Sequence, residues 1–305
     1  MALVADSIEY NDKRFYDLTL PNASIVELYS DCLWAEGPVW FSEGQALIWS
    51  DIPNQRMLSW TEKEGVSVFR AQSDFANGNT RDLQGRLVTC EHGTRRVTRT
   101  EDDGSITVIV DSFNGKKLNS PNDLVVKSDG SIWFTDPNYG IMSNYDGYKA
   151  DMEQAGCFVY RVDPKTGKIE IVADDFIMPN GLVFSEDEKT LYIVDSARSH
   201  DPDGPHHIRA FDVAEESKLS NGRVFCDVEP GVPDGLRIDI HGNIWTSCGN
   251  GIVCFDVDGT QLGRIKIPQT VANLTFGGAK RDRLFITATH SLYAVYVASA
   301  GIQRP

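Results

Sequence analysis

Four side-chain oxygens recur at one position of a repeated motif. Glu36 opens Glu36-Gly37-Pro38-Val39-Trp40, Asn122 follows a proline in Pro121-Asn122-Asp123-Leu124, Asn180 stands in Pro179-Asn180-Gly181-Leu182, and Asp234 in Pro233-Asp234-Gly235-Leu236. Taken singly, Asn-Asp, Asn-Gly and Asp-Gly after proline are turn chemistry. As a set they offer two carboxylates and two amide carbonyls, with no thiol and no imidazole. An all-oxygen set of this kind suits a hard divalent cation, Ca²⁺ first and Mg²⁺ or Mn²⁺ next, with Zn²⁺ also able to occupy oxygen ligands. Two carboxylates would balance its charge. Without it they would repel, and one pKa would rise.

The elements that must bring these residues together follow from the repeat. Anchors at Glu36, Asn77, Asn122, Asn180, Asp234 and Ala272 lie 41, 45, 58, 54 and 38 residues apart. After each comes a short β-branched or aromatic run, such as Leu47-Ile48-Trp49, Ile132-Trp133-Phe134 or Ile244-Trp245-Thr246, and then further runs punctuated by glycine and polar residues. A period near 40–45 with four short strands predicts an all-β, six-bladed β-propeller with four-stranded blades. Only a few residues remain after the sixth blade's third strand, so its fourth strand is expected from the N-terminal run Ile25–Ser30, which closes the ring and removes two sheet edges. Residues 1–23 read as a leader wrapping the outside, and 24–305 as a single propeller domain. Asp12–Thr19 is too short to assign.

In a propeller the first strand of each blade lines the central channel, so the anchors should meet at one channel mouth. Connections between second and third strands open on the same mouth, and two are long: 137–156 and 197–206. They hold Tyr139, Tyr145, Tyr148, Arg198 and His200, and long loops on a rigid scaffold commonly carry substrate contacts. The short blade-two connection places His92 beside the anchors as a protonatable group. His206 and His207 read as structural.

Composition limits the partners. The chain has 305 residues, a formal net charge of −15 and a pI near 4.8, which argues against a nucleic-acid backbone partner. The N-terminal sequence shows neither a charged n-region nor an apolar h-region, and no apolar run is long enough for a membrane helix. Six cysteines without a Cys-x-x-Cys pair read as reduced, mostly buried thiols. A cytoplasmic address, without a membrane partner, is the expectation. A homo-oligomer is left open.

From Leu33 to Val297 the sequence resembles the gluconolactonase/regucalcin (senescence marker protein) family, most closely its bacterial gluconolactonases. The resemblance is carried by Glu36-Gly37-Pro38-Val39-Trp40, Ser120-Pro121-Asn122-Asp123, Phe134-Thr135-Asp136-Pro137-Asn138-Tyr139-Gly140, Met178-Pro179-Asn180-Gly181-Leu182 and Pro233-Asp234-Gly235. It implies one divalent cation on Glu36, Asn180 and Asp234, with Asn122 touching cation or substrate, and hydrolysis of sugar lactones, D-glucono-1,5-lactone first. Asp234 is then the candidate general base, and Asn122, His92, Tyr139, Asp136 and Arg198 are the candidate substrate contacts. The regucalcin branch carries an arginine where this chain has Ser120, so that branch's substrate contact is absent. The four-ligand set is also similar to that of diisopropylfluorophosphatase, so a phosphotriesterase is a second reading. A non-catalytic calcium-binding propeller scaffold is a third.

Overall fold

The computed structural model describes residues 2–3, 7–214 and 218–302. Met1 and residues 4–6 of the expected leader, and 303–305 at the other end, lie outside the described residues. Six antiparallel sheets form a six-bladed propeller. Blade one runs Ala35–Phe41, Ala46–Asp51, Arg56–Thr61 and Gly65–Arg70 from the axis outward. Blade three, typical of the others, runs Leu124–Val126, Ile132–Asp136, Cys157–Val162 and Ile169–Phe176.

Ring closure takes the expected form: Ile25–Tyr29 pairs antiparallel with Ser291–Tyr296 as the outer strand of blade six. Ile25 is 2% exposed and sits in the core between blades five and six. Ile25→Ala should therefore cost about 2–5 kcal/mol of stability, read as a lower midpoint in denaturant. A midpoint equal to that of the unchanged chain would show that closure carries no weight.

Two blades have more than four strands. Ala2–Leu3 extends blade six and Ile8–Tyr10 extends blade five, pairing with residues 263–265. A one-turn helix, Phe15–Leu18, follows. Its Phe15 is fully buried, 5.7 Å from the ring of Trp245. A Cβ at Gly263 would lie 2.1 Å from Phe15 Cδ1, so the glycine makes room for this aromatic anchor. A hairpin absent from the sequence reading, Ser112–Phe113 with Lys116–Lys117, turns on Asn114-Gly115, both with positive φ.

Each pair of adjacent blades buries apolar side chains between them. The second strands contribute Trp49, Trp133 and Trp245, none with any exposure. Trp133 Nε1 donates to Ser131 Oγ and Trp245 Nε1 to Asp239 Oδ2, so those two large rings are buried without stranding a donor. All six cysteines are free thiols and five are buried. No helix among the described residues is long and apolar enough to cross a membrane.

The inner strands are disrupted at the anchors. In blades one, two, four and six the register shifts at Glu36/Val39, Ala76/Asn79, Pro179/Leu182 and Val271/Asn273. In blades three and five the regular strand begins only at Leu124 and Leu236. A bulge re-aims a side chain relative to the pleat, and here it occurs in each blade that carries its strand through the anchor.

Candidate functional site

The residue after each anchor explains how closely the blades approach. An added Cβ at Gly37, Gly78 and Gly181 would lie 2.1, 2.4 and 2.2 Å from the carbonyl oxygens of Asn77, Asn122 and Asp234 in the neighbouring blade. Gly78 N and Gly181 N donate to Asn122 O and Asp234 O at 2.8 and 3.0 Å. Glycine here lets one anchor's backbone bond to the next. Blades three and six put Asp123 and Asn273 at this position instead. Their side chains fill the channel beneath the anchors: Asn273 Nδ2 donates to Glu36 Oε2 at 3.2 Å and to Asp123 Oδ2 at 3.3 Å. Hydroxyls of the second strands brace the layer. Ser50 Oγ donates to Asn77 O, Thr287 Oγ1 to Asn273 O, and Asp234 N donates to Ser247 Oγ.

Above this layer lies a cavity of about 540 Å³, within the ~300–1,000 Å³ of small-molecule sites. Glu36, Asn77, Asn122, Asn180 and Asp234 form part of its lining, so five anchors from five blades meet as the repeat implied. Glu36, Asn122 and Asn180 are buried, and Asp234 is partly exposed to the cavity. Glu36 Oε2 also accepts from Gly37 N. Asn180 hydrogen-bonds the Asp234 carboxyl. Burial, with Asp123 close by, pushes the Glu36 pKa up to about 8. Burial and the charges of Glu36 and Asp123 push Asp234 well above the carboxylate range. Asp123 is raised by burial, with Arg237 drawing it back. These acids are crowded and desolvated, and among the described residues the hydrogen bonds they accept and the charge of Arg237 offset this only in part.

Among the described residues no group of three or more His, Cys, Asp or Glu side chains is arranged to hold a metal. The candidate donor set is two carboxylates with amide oxygens, and its chemistry fits a hard cation better than a thiolate- or imidazole-loving one.

Of the other expected site residues, His92, Tyr139 and Arg198 line the same cavity. His92 is 1% exposed. Its Nδ1 faces the carbonyl oxygen of Asp146 at 3.0 Å, and its Nε2 is 3.0 Å from Asn77 Nδ2. A carbonyl only accepts, so Nδ1 carries the proton; an amide NH₂ only donates, so Nε2 accepts. The ring is thus neutral, in line with burial lowering its pKa. It holds Asn77 with both nitrogens engaged. The Tyr139 hydroxyl is buried without a well-formed hydrogen bond in the protein. Burial and the Asp234 charge raise its pKa, with Ser199 and Ser196 alongside. Arg198 Nη1 pairs with Glu229 Oε1 at 2.6 Å, and His206 Nε2 reaches the same oxygen at 3.2 Å.

Asp136 does not reach the cavity. It is wholly buried, and its Oδ2 accepts from Asn119 N at 2.8 Å. Asp51 and Asp195 do the same at equivalent strand ends, accepting from Leu33 N and from Ile177 N and Met178 N. These aspartates tie the incoming loop to the end of the second strand. Burial pushes Asp136 up to about 7. The repeat itself carried this signal, since Asp51, Asp136 and Asp195 end matching strands.

Residues 137–156 form the roof. Tyr145 Oη lies 3.4 Å from Leu33 O, Tyr148 packs edge-on to Phe75, and Asp146 O holds His92. The roof fits closely: a Cβ at Gly140 would be 2.5 Å from His92 Cβ, and one at Gly147 would be 1.9 Å from Gly140 O. Sequence reasoning missed Asp123, Asn273, Arg237 and the Asn77–His92 pair. The signal for Asp123 and Asn273 was the break in the glycine pattern after the anchors; Arg237 and the pairing of Asn77 with His92 left none.

Comparison with known proteins places this geometry. Residues 34–290 match the family model described as SMP-30/Gluconolactonase/LRE-like region. The gluconolactonase of Zymomonas mobilis is 33% identical over 291 residues, covering 89% of this chain and 81% of that one. The solved structure of a gluconolactonase from Xanthomonas campestris has a TM-score of 0.89 at 40% identity, with 97% of each chain covered. A calcium-binding regucalcin of Agrobacterium tumefaciens shares the fold, with a TM-score of 0.75 at 19% identity over 92% of this chain and 95% of that one.

Proposed function

The chain belongs to the SMP-30/Gluconolactonase/LRE-like family, and from that premise we propose that it is a metal-dependent lactone hydrolase acting on sugar lactones, D-glucono-1,5-lactone first. The observation that carries the reading is the meeting of Glu36, Asn122, Asn180 and Asp234 in one cavity. These four residues would hold the cation, for which we propose Ca²⁺, with Mg²⁺, Mn²⁺ and Zn²⁺ to be compared. When bound, a divalent cation there would polarise the lactone carbonyl and offset the negative charge that develops on its oxygen.

The chain's own residues supply the rest. Glu36 is fixed by Gly37 N and Asn273 Nδ2, whereas Asp234 is partly open to the cavity and bonded to Asn180. Asp234 is therefore the general base. It takes one proton from water as the hydroxyl oxygen adds to the acyl carbon. The ring C–O bond then breaks, and the leaving alkoxide takes a proton to give the hydroxy acid. Tyr139, with its uncommitted hydroxyl, and Arg198 orient the substrate. His92 acts through Asn77 as a positioning residue, because both of its nitrogens are engaged.

Acid release from glucono-1,5-lactone, corrected for spontaneous hydrolysis and compared with a fluorinated organophosphate triester, tests the reaction class. Lactone turnover supports it, and triester turnover alone would move the same site to phosphotriester chemistry.

Gly140→Ala tests the roof. The added methyl must displace either the loop or His92, and misplacement of about 1 Å costs on the order of 10²-fold in rate. We expect that loss in kcat/KM for gluconolactone with cation affinity within about threefold of the original. Unchanged kcat/KM would show that the roof does not position substrate.

A further inference from the structure

The channel holds a second cavity. Three residues past each anchor the inner strands present Val39, Thr80, Val125, Val183, Arg237 and Thr275, one from each blade, and all six line a smaller space of about 110 Å³. A single water needs only ~10–15 Å³ by the same measure. This cavity shares no lining residue with the large one. Arg237 is the one charge in its ring. A guanidinium carries five N–H donors, and the bond described for Arg237 runs from Nη1 to Leu236 O at 2.7 Å. The other charged side chains of this cavity are paired, Arg81 with Glu43 at 2.7 Å and Glu188 with Lys127 at 3.1 Å. Arg237 has no ion pair among the described residues. Thr275 stands in the adjoining blade and Thr80 in the blade across the channel. Neither hydroxyl has a hydrogen-bond partner among the described residues.

A half-buried guanidinium with open donors calls for a counter-charge at close range. The acids of the channel are held away from it. Glu36 is bonded to Gly37 N and Asn273, and Asp123 to Leu124 N and Asn273, so the charge of Arg237 acts on them without contact. We propose that Arg237, with the hydroxyls of Thr275 and Thr80, forms a site for a compact monovalent anion of chloride size at the far end of the channel. The three valines of the ring offer no donor to the outer oxygens of a phosphate, whereas a small spherical ion can keep all its contacts on the guanidinium and the two hydroxyls. The acids above weaken this site while their charge is uncompensated. A cation bound on them would offset that field, so anion and cation should bind with positive coupling, each tightening the other. The coupling rests on the cation reading above; the anion site does not.

The test titrates chloride into the whole chain, exchanged against the bulky anion of MES at constant ionic strength, and follows the nuclear-resonance linewidth of chloride. One series uses chelated protein and the other protein loaded with Ca²⁺. Saturable broadening is expected in both, with affinity higher by about fivefold or more in the loaded protein. Arg237→Met should weaken chloride binding by roughly ten- to a hundredfold, as expected for loss of a charged donor. Thr275→Val should weaken it by about fivefold. A single cooperative melt shows that each variant is folded. No saturable broadening in either series, or unchanged affinity in Arg237→Met, would overturn the site and leave Arg237 a fixed counter-charge of the acids. Equal chloride affinity in the two series, in protein that calorimetry shows to bind Ca²⁺, would overturn the coupling alone. Protein that binds chloride but no Ca²⁺ would keep the anion site and overturn the cation reading instead.

Discussion

Replacing Asp234 with Asn will reduce kcat for lactone hydrolysis by about 10²–10⁴-fold, the range contributed by a positioned general base, and the loss will persist at saturating cation. The substitution keeps size and keeps an oxygen for the cation but removes the basic atom. Asp234 is singled out by geometry. Of the three acids in the channel, Asp123 lies a layer below with Asn273, and Glu36 is bonded to both Asn273 and Gly37 N. Asp234 alone is partly open to the cavity. Single-turnover kinetics with cation in excess separates lost chemistry from lost binding. Full turnover by the Asn variant would remove Asp234 as the base and leave it at most a ligand.

Glu36→Gln will have the second-largest effect, and it will act in opposite directions with and without cation. Glu36 is desolvated and near Asp123, and its pKa is raised to about 8 from an ordinary 4.5. The folded chain therefore holds this proton more tightly than the unfolded chain. Stability without cation should fall as pH rises from about 4.5 to about 8, because in that window folding must keep a carboxylate charged in a dry site or keep it protonated against the solvent. The isosteric amide removes that slope, so the chelated variant should melt at or above the unchanged chain at pH 8. With cation present the order reverses. With one of the two carboxylates proposed to face the ion removed, affinity should fall by at least about 10²-fold, beyond the 10–100-fold typical of outer-shell changes. Calorimetric titration with Ca²⁺ and thermal melts at pH 5 and pH 8 check both halves. Equal Ca²⁺ affinity in the two proteins would remove Glu36 from the ligand set.

Much of this architecture was legible in the sequence because a propeller repeats its inner strand. Equivalent positions in different blades then share one ring, so spacing alone could bring residue 36 to residue 234. Closure by Ile25–Tyr29 was legible for a similar reason: blade six was one strand short. The bulges were not, since a bulge is a relation between two strands and leaves no mark on either alone. Asp136 shows how local reading fails. Its place in a family motif beside Tyr139 suggested the site, but its carboxylate satisfies Asn119 N at the strand end, as Asp51 and Asp195 do in their own blades. His92 was found by its loop, yet its tautomer and its hold on Asn77 depend on Asp146 O, 54 positions along the chain. The outer strand Ile8–Tyr10 and the Phe15 anchor depend on a glycine at 263 that no local pattern connects to them.

On the proposed reading, the crowded acids and amides at the channel mouth hold a cation that lactone hydrolysis requires. The most direct measurement follows acid release from D-glucono-1,5-lactone by chelated protein, then by the same protein after Ca²⁺, Mg²⁺, Mn²⁺ or Zn²⁺ is returned singly, with the spontaneous rate subtracted. Chelated protein should show no catalysis above background, and activity should return with at least one cation, Ca²⁺ foremost. Full activity in chelated protein shown to be free of metal would contradict it.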